Sequence, residues 1–214
     1  KHLLLRVGSM LAVFGGATAI AGRIDAPTLA AHQIVMSMFM FLALSLDALA
    51  IPAQTIVAEQ LGRGDRPAAA VIGHRVVRLS IVVGLGMGAI VAVAAPFLPH
   101  IFTGDADVAD RATGGLWWLA VLLVPGAIAF AHDGILIGAG DYRFLGRAAL
   151  GYLVAVAPLA ALILLVPGLG IAGVWSALLI WMVLRAAVND RRTRHVLGGR
   201  ESHLRARLFS HSNH

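Results

Sequence analysis

The sequence predicts an all-α membrane protein, a bundle of six transmembrane helices, and three observations carry this prediction. Hydrophobic residues make up 59% of the 214-residue chain and charged residues only 13%, whereas an ordinary soluble domain has about 25% charged residues. The mean hydropathy is +0.84, so a soluble fold would expose large apolar patches. The apolar residues also gather into six runs, each long enough to cross a bilayer, which takes roughly 20 residues.

Turn-forming and charged residues separate the six apolar runs. Because backbone polar groups inside lipid must bond internally, each run is predicted to be a helix. The predicted transmembrane lobe covers residues 1–188, with helices near 3–22, 28–58, 79–98, 114–140, 148–166 and 171–188. Residues 189–214 are predicted to form a basic cytoplasmic tail.

Taken in chain order, the spans differ in the charges that they contain. The first contains Arg6, the third and fifth contain no charged residue, and the sixth contains Arg185 near its end. The second span contains Asp47 and the fourth contains Asp133. An acid inside a membrane span is costly unless it is paired, protonated or hydrated, so these two spans are the ones expected to serve a function.

The distribution of basic residues predicts the orientation. Only two of the 17 lysines and arginines, Arg23 and Arg111, fall on the side that the first, third and fifth connections share. All the others lie on the side of the N-terminus, the second and fourth connections and the tail. By the positive-inside rule, both termini of this segment are predicted to be cytoplasmic, in a multi-pass protein of the cell inner (plasma) membrane.

One face of the second span is polar. A spacing of seven residues places Gln33, Met40, Asp47 and Gln54 on this face, with Ser37 beside them. Two amides, a carboxylate and a hydroxyl are not expected to face lipid. The face is interpreted either as a hydrogen-bond network between packed helices or as the wall of a water-filled transport pathway.

Asp133 is the second pathway candidate, because it lies about two turns from the predicted cytoplasmic end of the fourth span. It could bind and release a proton or a cation, or it could be bonded permanently and hold the bundle together. Gly134 and Gly138 follow it as a GxxxG step, which predicts close packing of a neighbouring helix.

The sequence does not favour an enzyme or a nucleic-acid-binding protein. It contains no HExxH, GxSxG or Walker A motif, and it has no cysteine. No catalytic residue, metal site or cofactor is predicted. The net charge of +6 arises between and after the apolar runs, so the expected partner is the lipid bilayer and not nucleic acid.

Two stretches resemble the multidrug and toxic compound extrusion (MATE) family, in its DinF-like branch. Residues 29–65 read LAAHQIVMSMFMFLALSLDALAIPAQTIVAEQLGRGD, and residues 133–147 read DGILIGAGDYRFLGR. Members of that family have twelve helices in two six-helix lobes, with the substrate cavity between the lobes. The resemblance implies that this chain is the C-terminal lobe, whose partner is the missing N-terminal lobe of the same polypeptide.

The resemblance also implies a function. The expected activity is secondary active efflux of cationic or amphipathic compounds, with H+ or Na+ as the coupling ion and no cofactor. The alternatives are a flippase for a lipid-linked substrate, a membrane-embedded enzyme, or an assembly subunit without transport. The flippase would need a strongly basic cavity, and the sequence places no Lys or Arg in the middle of a span.

The orientation can be tested with reporter fusions. A reporter fused after Asn189 is expected to be active in the cytoplasm, and one inserted near Asp107 is expected to report the exterior, because the basic residues are so unevenly divided. Measured reporter activity in intact cells distinguishes the two compartments. The reverse pattern would show that the predicted orientation is wrong.

Overall fold

The structure, a computed structural model, describes residues 1–198. Six long helices dominate it, and a one-turn helix, α4 (Pro99–Phe102), links the third long helix to the next. The predicted all-α, six-helix architecture is confirmed, since each long helix is long and apolar enough to cross a membrane. The long helices are α1 (His2–Ile24), α2 (Ala26–Gly62), α3 (Arg66–Ala94), α5 (Ala106–Gly138), α6 (Tyr142–Leu165) and α7 (Gly170–Gly198).

Several helices extend beyond the predicted spans because helical hydrogen bonding does not stop where an apolar run stops. In α3, the Asp65 carboxylate accepts a hydrogen bond from the Ala68 amide at 3.0 Å, and Pro67 occupies the first turn. In α5, the Asp105 carboxylate caps the helix in the same way. Each cap therefore starts its helix well before the first continuous apolar residues.

The last helix corrects the predicted division at residue 188. Helix α7 continues through Gly198, and the side chains of Asn189 and Thr193 are buried in the bundle. Arg192 also forms an ion pair with Asp141, at 2.6 Å, at the turn that leads into α6. Residues 189–198 are thus part of the packed lobe, and the rest of the predicted tail, 199–214, lies outside the described residues.

Helix α5 lies at the centre of the bundle and packs along α2, α3 and α7, whereas α1 packs mainly against α6. The sequence of α5 is apolar around most of its circumference, as expected of a fully surrounded helix. Its leucines and the indole of Trp175 on α7 form the core, with almost no exposed surface: Leu116, Leu119, Leu122, Leu123 and Trp175.

The two ends of the bundle differ in charge. The N-terminus, the turns at 63–65 and 139–141 and the end of α7 form what we call the basic end. At the opposite end, Arg111 donates hydrogen bonds to Asp25 at 2.8 Å and to Thr28 at 2.7 Å, which ties α5 to the turn between α1 and α2. Hydrogen bonds from the Thr28 side chain and amide, together with Arg111, lower the pKa of Asp25.

Glycines allow α5 to approach α2 closely near the basic end. A Cβ added to Gly134 would lie 2.6 Å from the Ala50 carbonyl oxygen, and one added to Gly138 would collide with the backbone of Gln54. The close packing predicted from the GxxxG step is therefore confirmed. It also holds the stretch of α2 that contains Asp47 against the stretch of α5 that contains Asp133.

This contact predicts the effect of a single methyl group. Gly134→Ala is expected to destabilise the lobe by about 1–3 kcal/mol, because the two backbones must move apart. Gly86→Ala is the matched control, since a Cβ there meets no atom within 4 Å, and it should be neutral or stabilising by up to about 1 kcal/mol. Thermal unfolding in detergent micelles measures both. Equal stability of the two variants would contradict the packing argument.

Candidate functional site

A cavity of about 430 Å³ lies where α1, α2 and α5 meet near the basic end. We call it the α1–α2–α5 cavity. Its polar lining consists of the side chains of Arg6, Asp47, Gln54 and Asp133. The remaining wall is apolar and partly aromatic, and is formed chiefly by Met10, Phe14, Met40, Ile51, Phe130 and Ile137. The cavity can therefore hold a ligand with both a charged group and an apolar body.

The structure brings together four of the six predicted pathway residues and leaves two apart. Met40, Asp47, Gln54 and Asp133 all line the α1–α2–α5 cavity. The other two lie on the same face of α2 but nearer the opposite end, where both Gln33 and Ser37 are exposed. Ser37 is ten residues from Asp47 along the helix, or roughly 15 Å.

The rest of the bundle covers the polar face of α2 only in part. The buried face of the helix is the apolar one, which includes Phe39, Leu46 and Ala50. Asp47 is half-buried at the edge of this packed face. Within residues 1–198 its carboxylate accepts no hydrogen bond from another side chain, so the lobe itself does not form the helix-packing network that was one interpretation of this face.

Asp133 is in a different situation, because its carboxylate is buried and surrounded by donors. The guanidinium groups of Arg6 on α1 and Arg185 on α7 both bind its Oδ2 atom. The amide of Asn189 donates to Oδ1 at 2.7 Å, and the hydroxyl of Tyr152 on α6 donates to Asn189 at 2.9 Å. We call these five residues the Asp133 cluster, and they join four helices.

Arg185 is deeply buried for a charged residue, with 3% of its surface exposed. Its guanidinium carbon lies 5.4 Å from the ring centres of both Phe130 and Trp181. Such cation–π contacts stabilise a cation that has lost its water. The aromatic rings and Asp133 together make it possible for this charge to remain in the interior.

Sequence reasoning did not find Arg6 and Arg185 as interior groups. Neither residue lies in the middle of a predicted span, yet their long side chains extend inward from near the helix ends to Asp133. The signal was present in the sequence, since each is the single charged residue in an otherwise apolar span and such a residue requires a partner. Among the described residues, no group of three or more His, Asp or Glu side chains could hold a metal ion.

The chain is similar in sequence to known membrane transporters. The family model MatE matches residues 9–163. Protein DETOXIFICATION 44, chloroplastic, from Arabidopsis thaliana is 30% identical over 192 residues, which is 89% of this chain and 36% of that protein. A probable multidrug resistance protein NorM from Rhodopseudomonas palustris is 31% identical over 185 residues, covering 82% of this chain and 38% of that protein.

DNA damage-inducible protein F from Escherichia coli is 24% identical over 185 residues, covering 86% of this chain and 40% of that protein. A solved transporter of the MOP superfamily from Pyrococcus furiosus has the same fold, with a TM-score of 0.81 and 17% identity over 94% of this chain and 44% of that one. The chain therefore spans little more than a third of the length of the curated relatives it matches.

The Asp133 cluster predicts a large loss of stability when its acid is removed. Asp133→Ala is expected to destabilise the lobe by about 3–5 kcal/mol, because the buried Arg185 would lose its counter-charge. Glu59→Ala breaks an exposed ion pair, with Arg63, and should cost less than about 1 kcal/mol. Thermal unfolding in detergent micelles measures the stability of both variants.

A second substitution tests the cause of this loss. Adding Arg185→Met to Asp133→Ala should restore part of the stability, because no unpaired buried arginine would then remain on α7. If the double variant is no more stable than Asp133→Ala alone, the loss does not come from the unpaired charge.

Proposed function

This chain belongs to the MatE family of membrane transporters, and we propose that it forms one six-helix lobe of a secondary transporter that exports cationic or amphipathic compounds. Members of the family are transporters and not enzymes. The names of two relatives refer to detoxification and to multidrug resistance, which supports the export of foreign compounds.

The charge of the α1–α2–α5 cavity is the observation that carries this proposal. Two carboxylates, those of Asp47 and Asp133, and one guanidinium, that of Arg6, line it. Because Arg6 and Arg185 already neutralise Asp133, Asp47 is the carboxylate in the lining that remains available to a cation. The aromatic rings of Phe14 and Phe130 add faces that attract a cation with an apolar body. A lipid-linked substrate with a pyrophosphate would instead need basic groups that are not already paired, whereas Arg6 and Arg185 both bind Asp133.

The exposed position of the polar α2 face supports a second lobe in the working protein. Gln33 and Ser37 would face hydrocarbon if this lobe stood alone, which is unfavourable for amide and hydroxyl groups. A second six-helix lobe, contributed by the same polypeptide, would cover this face and close the cavity. Substrate would then bind between two lobes that rock against each other.

We assign ion coupling to Asp47 and not to Asp133. The Asp133 carboxylate already accepts hydrogen bonds from two guanidinium groups and an amide. The Asp47 carboxylate is half-exposed and free of such donors within the described residues. Antiport follows if the coupling ion, H+ or Na+, and a cationic substrate compete for this one carboxylate, because each must then leave before the other binds.

We place the lobe in the cell inner membrane, with both of its ends on the cytoplasmic side. The basis is the basic end of the bundle, where the N-terminus, the turns at 63–65 and 139–141 and the end of α7 lie together. In this orientation the α1–α2–α5 cavity lies nearer the cytoplasm, where an exporter takes up its substrate.

The assignment predicts different effects for two isosteric substitutions in the full-length transporter. Asp47→Asn should lower resistance to cationic compounds at least about tenfold while expression stays normal, because loss of a charge contact in a binding site costs roughly 1.4 kcal/mol or more. Asp133→Asn should retain pH- or Na+-driven transport per folded molecule. Drug resistance is measured in cells that express each variant. Ion-driven transport is measured as uptake by everted vesicles that contain equal amounts of each protein.

Either of two results would count against the assignment. If Asp47→Asn transports normally, the α2 face has no role in coupling. If Asp133→Asn folds and binds substrate but no longer responds to the ion gradient, the coupling acid is Asp133.

A further inference from the structure

A second and larger cavity, of about 810 Å³, lies at the basic end between the first half of α3 and the end of α7. We call it the α3–α7 groove. It is separate from the α1–α2–α5 cavity, since the two share no lining residue. No step of the proposed transport cycle uses it.

The rim of the groove is basic. Arg66, His74 and Arg78 follow one another along the exposed side of α3, and Arg194 lies across from them on α7. Arg194 pairs with Asp190, the one acid in the lining, at 2.9 Å. Within the described residues, Arg66 and Arg78 form no ion pair, so two guanidinium groups remain available to an anion.

A buried histidine lies at the floor of the groove. His132 is 3% exposed, and its Nδ1 atom lies 3.1 Å from the Thr193 hydroxyl. Its Nε2 atom faces Asp190 at 3.5 Å but makes no hydrogen bond among residues 1–198. The floor therefore presents one unused polar atom in addition to the basic rim.

The rest of the groove is apolar. Val71, Val77 and Leu197 line it between the charged groups. Gly73 lets α7 approach α3 here, because a Cβ at this position would lie 3.1 Å from the Leu197 side chain. An occupant of this groove would thus meet aliphatic surface as well as positive charge.

The groove extends from the water-facing turn towards the hydrocarbon. Arg66 and Arg78 are twelve residues apart on α3, which corresponds to roughly 18 Å along the helix axis. The uninterrupted apolar run of this helix begins immediately after Arg78, at Leu79. Arg78 therefore lies at the depth where lipid headgroups meet the acyl chains, and Arg66 lies nearer the water.

From this combination we propose that the α3–α7 groove binds an anionic phospholipid. The headgroup phosphate contacts His74 and Arg78, which are one helical turn apart. Arg66 adds positive charge nearer the water, and the start of an acyl chain lies against Val77. Guanidinium groups bind phosphate oxygens in paired hydrogen bonds, and basic pockets between transmembrane helices are suited to anionic headgroups. A free phosphate would use only the rim and would leave the apolar wall uncovered.

The test uses the complete protein in bilayers that contain spin-labelled lipid. Electron paramagnetic resonance measures the association of labelled phosphatidylglycerol relative to labelled phosphatidylcholine. The unchanged protein should prefer phosphatidylglycerol, and the double variant Arg66→Gln/Arg78→Gln should reduce this preference at least about threefold, because each basic group near a headgroup contributes to the attraction.

The matched control is Arg143→Gln/Arg147→Gln, which removes the same charge from exposed arginines of α6 at the same end of the bundle. It should leave the lipid preference almost unchanged. A third variant, Arg200→Gln/Arg205→Gln/Arg207→Gln, tests the basic residues that follow α7 in the sequence, and it should also retain the preference. Circular dichroism establishes that each variant is folded.

Four results would overturn the proposal. The first is that the unchanged protein shows no preference for phosphatidylglycerol, and the second is that the groove and α6 variants lose this preference equally. The third is that only the variant at Arg200, Arg205 and Arg207 loses the preference. The fourth is that inorganic phosphate displaces the labelled lipid at constant ionic strength. The last would indicate a site for a soluble anion.

Discussion

The buried carboxylate of Asp133 is the group on which the rest of this lobe depends. The guanidinium groups of Arg6 and Arg185 both form ion pairs with this carboxylate in the interior. Without Asp133, each would be a charge in the interior with no counter-charge, which is strongly unfavourable. Helix α1 packs mainly against α6, and α5 against the other helices. The Asp133 cluster connects these two groups, since its members come from α1, α5, α6 and α7.

The same cluster determines which acid is accessible in the α1–α2–α5 cavity. Asp133 and Asp47 both line it, and in the sequence they are equivalent, each a lone aspartate in an apolar span. Three side-chain donors bind the Asp133 carboxylate. The Asp47 carboxylate accepts no side-chain hydrogen bond within residues 1–198 and stays available to a ligand. The glycine contact between α2 and α5 then places the open carboxylate beside Arg6, so packing, ion pairing and the polarity of the cavity are parts of one arrangement.

Much of the fold could be predicted from the sequence because membrane spans are local features. The lengths of the apolar runs predict the six helices. The GxxxG step at Gly134 predicts the close contact that α5 makes with α2. The Asp133 cluster could not be predicted, because Arg6 and Arg185 are 127 and 52 residues away from their partner. Gln33 is exposed on α2 and lies outside the α1–α2–α5 cavity, because a helix face is longer than a cavity and periodicity cannot indicate where the cavity ends.

The membrane potential acts on any charge that a moving lobe carries through it, at about 2.3 kcal/mol per elementary charge per 100 mV. In the Asp133 cluster and the adjoining α1–α2–α5 cavity, the ionised side chains are Arg6, Arg185, Asp47 and Asp133, whose formal charges cancel. With H+, Na+ or a singly charged organic cation bound at Asp47, these groups would together carry one positive charge. In the proposed antiport, a one-for-one exchange would move this charge across the membrane once in each direction, so the membrane potential would do no net work on the cycle.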